Sequence, residues 1–276
     1  MAKAPAPNYD YQTKQLAGYY RIAIKDILAE LDRVDISDFR RANALATLQS
    51  ISGILSDLDT KSARWVSENV PFAAREGVIN TLVALNIAES VEQAALIVKF
   101  NELNEAMVAA AIADTQADLL AVTQNVDRKT KAAVRRAVSD SIKYNMASGT
   151  NGMRTIRDDI KKRLKESVMT GIVDAKGRRW KPEVYADMVT RTKMMQTYRE
   201  ATTNEAVDRG VLYAQISAHS AKDACRGHEG EIIKLTPEAP GDFKTYEELQ
   251  ATGEIFHPRC KHVYSPIRDV GLLSER

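Results

Sequence analysis

Cysteine is scarce: two residues, Cys225 and Cys260, occur in 276. That excludes a disulfide-rich secreted scaffold and makes the pair candidate ligands or plain thiols. Aromatic residues reach only 6%, with 13 glycines and 8 prolines, which disfavours a turn-rich β fold and favours long helices. No uninterrupted run of about 18 apolar residues is present, so no membrane span is expected. The first eight residues, Met1 to Asn8, lack an apolar signal core and read as a Pro/Ala arm, with synthesis expected in the cytoplasm. Hydrophobic residues at 44% and charged residues at 28% exclude wholesale disorder.

The net charge of +2 conceals a segregation. Residues 128–199 hold 19 Lys/Arg against 7 Asp/Glu, and the remainder holds 20 against 30. The belt is read either as a set of solvated helix faces or as a surface for nucleic acid or an acidic partner. Arg163, Lys165, Arg178, Arg179 and Lys181 are its candidate contact residues.

The first half reads as successive helices. Leu16, Tyr20, Ile24, Ile27 and Leu31 form an amphipathic stripe. Ser37 or Asp38 is expected to cap a second helix, which Pro71 should break, leaving a short helix over 73–85. Ser90 and Gln93 have capping-box spacing and should open a long Ala-rich helix to about Val122, with Asp127 capping another. The Gly/Ser/Asn-rich stretch ending at Gly152 is the expected domain boundary, giving a helical part over 1–148 and a second domain over 149–276. Beyond it come a basic helix over 153–169 and a helix opening at Pro182 and stopping at Gly210. A strand is expected over 211–217, an apolar run over 231–235, and a short helix capped at Thr245. The fold class is therefore mainly α with a small α+β C-terminal module.

All four histidines and both cysteines lie between positions 219 and 262. Cys225-Arg-Gly-His228 and His257-Pro-Arg-Cys260 are two ligand pairs, each with two intervening residues, separated by 28 residues. That spacing lets one tight turn aim both side chains at a tetrahedral metal. Cys225, His228, His257 and Cys260 are the expected zinc ligands, with His262 as a substitute and His219 a weaker one. A zinc staple suits a loop-rich end with little core. Thiols in a small core and a catalytic metal are the competing readings. A zinc deaminase is excluded, because its His-x-Glu and Cys-x-x-Cys signatures are missing. No phosphate-binding Gly loop and no nucleophile elbow occurs.

On the helix after Pro182, most of the Arg and Lys residues read as a solvated face. Arg191 and Asn204 are exceptions, able to fix neighbouring loops by directional hydrogen bonds. The order Arg191-Thr192, Asn204-Glu-Ala206, a strand, Asp223-Ala-Cys225-x-x-His228-x-Gly230 and Gly253-Glu-Ile-Phe-His257-Pro-x-Cys260-Lys-His262 resembles the phage minor capsid, or head-morphogenesis, family related to the F protein of phage Mu. The branch it resembles most is phage minor capsid protein 2, over roughly 150–268. The resemblance implies a non-enzymatic structural protein of a phage or prophage head, present in few copies at the portal vertex. Its implied partners are portal and capsid proteins in an oligomeric virion assembly, and DNA during packaging or ejection. It matches Cys225, His228, His257 and Cys260 to the family's Cys/His positions. Many relatives read Arg-Thr-Glu where this chain has Lys193. A zinc-dependent nuclease using His257 or His262 is the alternative function, and a DNA-binding regulator is disfavoured for want of a recognition-helix motif.

Overall fold

The computed structural model describes residues 4–33, 41–145, 153–170, 172–173, 177–268 and 271. Ser37, Asp38, Gly171 and the expected 148/149 boundary lie outside them. In chain order the elements are α1 (Asp10–Arg33), α2 (Arg41–Ala84), α3 (Val91–Ile97), α4 (Glu102–Asn145) and α5 (Met153–Met169). There follow β1 (Ile172–Val173), β2 (Arg179–Trp180), α6 (Pro182–Asp208), β3 (Tyr213–Ile216), β4 (Ile232–Lys234), α7 (Tyr246–Thr252) and β5 (Tyr264–Ile267). The protein is thus mostly helical, with a small antiparallel sheet near its C-terminus, in order β4-β3-β5.

The chain forms two compact units. One comprises Met1–Tyr11, Val66–Thr115 and Met188–Arg276; the other comprises Gln12–Trp65 and Gln116–Asp187. In the second unit, the α1 stripe does what its spacing dictates: Leu16, Tyr20, Ile27 and Leu31 are fully buried. Ile51, Leu55 and Leu58 of α2, Leu119, Val122 and Val126 of α4, and Leu164 and Val168 of α5 complete that core. Two hydrogen bonds tie polar groups within it. The Tyr20 hydroxyl donates to the Leu119 carbonyl at 3.3 Å, and Thr123 donates to Asp59 at 2.6 Å.

In the first unit, α2 and α6 pack closely because position 77 is glycine. A Cβ there would stand 2.2 Å from the Tyr198 carbonyl oxygen. Thr81 donates to the Thr202 carbonyl at 3.1 Å and Thr202 to the Gly77 carbonyl at 3.2 Å. The sheet lies on this platform. β3 alternates half-buried Tyr213 and Gln215 with buried Ala214 and Ile216, the period of two expected of a strand with one face in the core. Ala214, Ile216, Ile233, Tyr246, Leu249 and Tyr264 share one apolar cluster with Cys225 and Cys260. Asn80 donates to the Tyr264 carbonyl at 3.1 Å, and the Tyr264 hydroxyl donates to the Arg199 carbonyl at 3.0 Å.

Several helix boundaries differ from the sequence reading. Pro71 does not break α2; it sits inside a helix of 44 residues. An interior proline costs roughly 3 kcal/mol. Val66, Val70, Ala73, Ala74 and Val78 are all fully buried on either side, and that burial overrides it. Ser90 does cap a helix, accepting from Gln93 at 3.2 Å, but that helix, α3, has only seven residues. A new start at Asn101, which accepts from the Asn104 amide at 2.8 Å, opens α4. Asp127 lies inside α4 rather than capping a helix, and bridges to Lys131 one turn on. Among the described residues, α4 contains one stretch long and apolar enough to cross a bilayer by length and composition alone, 28% of it buried. Its apolarity is largely alanine interrupted by Asp114 and Asp118, which is why no unbroken run appears in the sequence.

A candidate metal centre in the C-terminal strands

Each chemical group at this centre is placed by a short, locally determined element. Asp223 caps a single 3-10 turn, Ala224–His228, by accepting from the Cys225 amide at 3.2 Å, which seats Cys225 at the start of the turn. Thr245 and Glu248 form a reciprocal capping box on α7, and Gly253 ends it in the left-handed conformation at φ 72°. The chain then turns sharply through Phe256 and Arg259, whose φ values of 56° and 69° are costly for residues with a Cβ. His257 lies between them, and Cys260 and His262 follow on the approach to β5.

These turns bring the two thiols together with His262 and set His257 against Cys225. Cys225 Sγ and Cys260 Sγ are 3.8 Å apart, buried and not joined by a disulfide. His262 places Nδ1 3.5 Å from Cys260 Sγ, and His257 places Nε2 3.2 Å from Cys225 Sγ. The far nitrogens have partners of their own. His262 Nε2 is 3.3 Å from a Glu229 carboxylate oxygen, and His257 Nδ1 is 3.0 Å from the Pro258 carbonyl. Such outer contacts fix the ring and its tautomer, leaving the inner nitrogen as the lone-pair donor. Glu229 is itself held by the amides of His219 and Ala221 at 3.0 and 2.9 Å. Those amide hydrogen bonds, Ala221 first, lower its carboxyl to about 2.

The electrostatics fit a cation. Burial, with the Cys260 thiol beside it, pushes the Cys225 thiol up to about 12, so in the bare protein it is protonated. Burial also lowers the His262 imidazole, favouring the neutral form that can ligate. Among the described residues, three groups have side-chain ligand atoms close enough to hold one ion: Cys225, Cys260 and His262; His219, Glu229 and His262; and Asp223, Cys225 and His257.

His228 is turned elsewhere. Its Nδ1 is 2.8 Å from Glu231 and its Nε2 3.2 Å from Glu254, so both ring nitrogens face carboxylates. Of the expected residues, the fold therefore brings Cys225 and Cys260 together with His262, sets His257 against Cys225, and holds His228 between two carboxylates. His219 stacks on His262 with ring centres 4.1 Å apart.

Arg199 is the residue the sequence reading missed. It belongs to the Arg/Lys set read as a solvated face, yet it is buried, donating to the His262 carbonyl at 2.7 Å and the Cys260 carbonyl at 3.1 Å. Its guanidinium also lies 4.8 Å from the Phe256 ring centre. It fixes the backbone that carries two of the candidate ligands. The signal available in the sequence was its place beside Tyr198 on the apolar stripe of α6. Arg191 and Asn204 make directional contacts, but to helices rather than loops: Arg191 pairs with Asp10 at the start of α1, and Asn204 donates to Asn104 in α4 at 3.2 Å.

A family model described as phage minor capsid protein 2 matches residues 24–272. The chain belongs to that family. No curated protein and no solved structure matches it. The match extends well beyond the resemblance over 150–268, taking in the second part of α1 and all of α2 to α4, so these helices of the first half belong to the family pattern. Membership makes the chain a structural component of a bacteriophage head, located in the virion.

The basic candidates lie in the other compact unit. Arg163 and Lys165 are on α5, Arg178 and Arg179 at β2, and Lys181 precedes α6. Lys165 pairs with Asp32 at 2.9 Å, and Arg178 sits over the Trp180 ring at 5.3 Å. Arg163, Arg178, Arg179 and Lys181 are exposed.

Proposed function

We propose that this minor capsid protein is a non-enzymatic assembly component that binds the portal or inner capsid, with DNA touching its basic segment during packaging or ejection. The observation that carries this reading is the family match over 24–272. The family match spans both the helical part over 1–148 and the part over 149–276 that carries the Cys/His site. Arg163, Lys165, Arg178, Arg179 and Lys181 contact DNA phosphates, so affinity falls steeply with salt. Co-purification with the portal protein from phage heads tests the assembly role; a chain found free of heads and portal contradicts it.

The C-terminal strands are held by one structural zinc. Its ligands are Cys225, His257, Cys260 and His262, a two-sulfur, two-nitrogen set suited to that ion. His228 supports the loop from outside, with its two ring nitrogens on Glu231 and Glu254. Zinc supplies cross-linking here. Four protein ligands leave no position for a reactive water.

The nuclease reading has one observation in its favour, the His219, Glu229 and His262 grouping, a donor set of the kind catalytic zinc uses. Against it, Glu229 already accepts two backbone amides and His262 is shared with the thiols. Incubation with DNA and divalent metal separates the two. Cleavage abolished by His219→Ala and by His262→Ala would sink the structural reading.

A further inference from the structure

A cleft between α4, α5 and β2, about 400 Å³ in volume, lies wholly within the second compact unit. Four cations line it: Lys129 and Arg136 from α4, Arg163 from α5 and Arg179 from β2, against the carboxylates of Asp140 and Glu166. On α4 the lining positions recur at three- and four-residue steps, so one helix face supplies them all. The floor is small and apolar, made by Ala132, Ala133, Ala137 and Leu164. A solvated charged face would be convex; here the charges surround a hollow.

We propose that this cleft binds a phosphorylated nucleoside unit, its phosphate held by the cations and its flatter part resting on the alanine floor. The volume lies within the range of small-ligand pockets, and the excess of two positive charges matches a phosphate dianion. Ser167 and Thr170 donate their hydroxyl protons to their own helix, to the Leu164 and Glu166 carbonyls, so the lysine and arginines are the anion-facing donors. Lys129 uses one of its three donors on the Thr170 carbonyl at 3.0 Å, which fixes its amine at the cleft. Its ammonium is disfavoured by burial and by the neighbouring Arg179 and Arg128 charges, a strain that an incoming anion relieves. Two sources share this chemistry, a free nucleotide and the phosphorylated end of a DNA strand. The inference rests on the reading of the basic segment as a DNA contact, and adds Lys129 and Arg136 to it.

Calorimetric titration of the full chain with a deoxynucleoside 5′-monophosphate tests it. Binding is expected, weakened about tenfold by Arg136→Gln and by Arg163→Gln, and unchanged by Lys25→Gln on α1, outside the cleft and the basic segment. Inorganic phosphate should bind at least about tenfold more weakly than the nucleotide, since the floor adds apolar contact; equal binding overturns the nucleoside-sized occupant. Competition between the nucleotide and a 5′-phosphorylated oligonucleotide identifies a strand end as the source, and lack of competition identifies the free nucleotide. No nucleotide binding, with oligonucleotide affinity still lowered by Lys165→Gln and Lys181→Gln, overturns the cleft and leaves the DNA-contacting surface standing. If neither variant set alters oligonucleotide binding, both readings fall.

Discussion

In the unit built on α1, α4 and α5, order comes from long apolar stripes, with Leu16, Tyr20, Ile27, Leu119 and Leu164 each buried by a helix of at least 17 residues. In the C-terminal module no strand exceeds four residues and α7 has seven. Each short element adds little to the shared apolar cluster, and polar groups fix the geometry between them. A capping box and an N-cap set the turns, a buried arginine holds two carbonyls, and two thiols meet an imidazole. The difference separates two ways of ordering a chain: repeated burial along an axis, and a few directional contacts at a point.

The sharpest way to break the comparison is to remove one convergent ligand. Cys260→Ser should abolish metal binding and unfold the strands while leaving helical circular dichroism nearly intact. The loss should exceed ~4 kcal/mol in that module, because metal loss is among the few single changes that large. Near-ultraviolet circular dichroism of the tyrosines around Tyr246 and Tyr264 reports it. A single transition in which helices melt together with strands would show that the two regions are not separately ordered.

Arg199→Met should come next, at about 3 kcal/mol, since it strands the buried His262 and Cys260 carbonyls without partners. Its particular signature is weakened metal affinity in a chain whose helices persist, measured by competition with a chromogenic chelator. Gly77→Ala should cost about 1–3 kcal/mol by denaturant titration, since the added methyl meets the Tyr198 carbonyl while helix propensity returns only about 1 kcal/mol.

The smallest effect concerns the helical unit. Burial raises the Asp59 carboxyl above its usual range, despite the Thr123 hydroxyl that donates to it. The folded state therefore favours the protonated form, so this group's stabilising contribution is full at acid pH and lost as pH rises through the raised value. Asp59→Asn should raise Tm slightly at neutral pH, with the gain vanishing below the ordinary carboxylate range. A gain independent of pH would assign the effect to packing instead.

Much of this was legible in the residues. Ser90 and Gln93, Thr245 and Glu248, Pro182 and Gly210 all mark real boundaries, because capping and φ preferences are local. The α1 stripe was readable for the same reason. Pro71 and Asp127 misled because the burial deciding α2 and α4 comes from residues distant in sequence. β5 carries Pro266, which hides a strand; as an edge strand paired only with β3 it tolerates the missing amide. The Cys/His spacing marked the segment, but spacing does not tell which imidazole lies nearest the thiols. Glu231 and Glu254 flank His228, while His262, placed by Glu229 and Arg199, lies beside both thiols.

The most direct test of the account is X-ray absorption at the zinc edge on the full-length protein. The account predicts one zinc per chain with two sulfur neighbours at about 2.3 Å and two nitrogens at about 2.0 Å. One nitrogen should be lost in His262→Asn, and the shell should be unchanged in His228→Asn. A metal-free protein with two freely titrating thiols, or a shell that loses nitrogen in His228→Asn rather than His262→Asn, would contradict it.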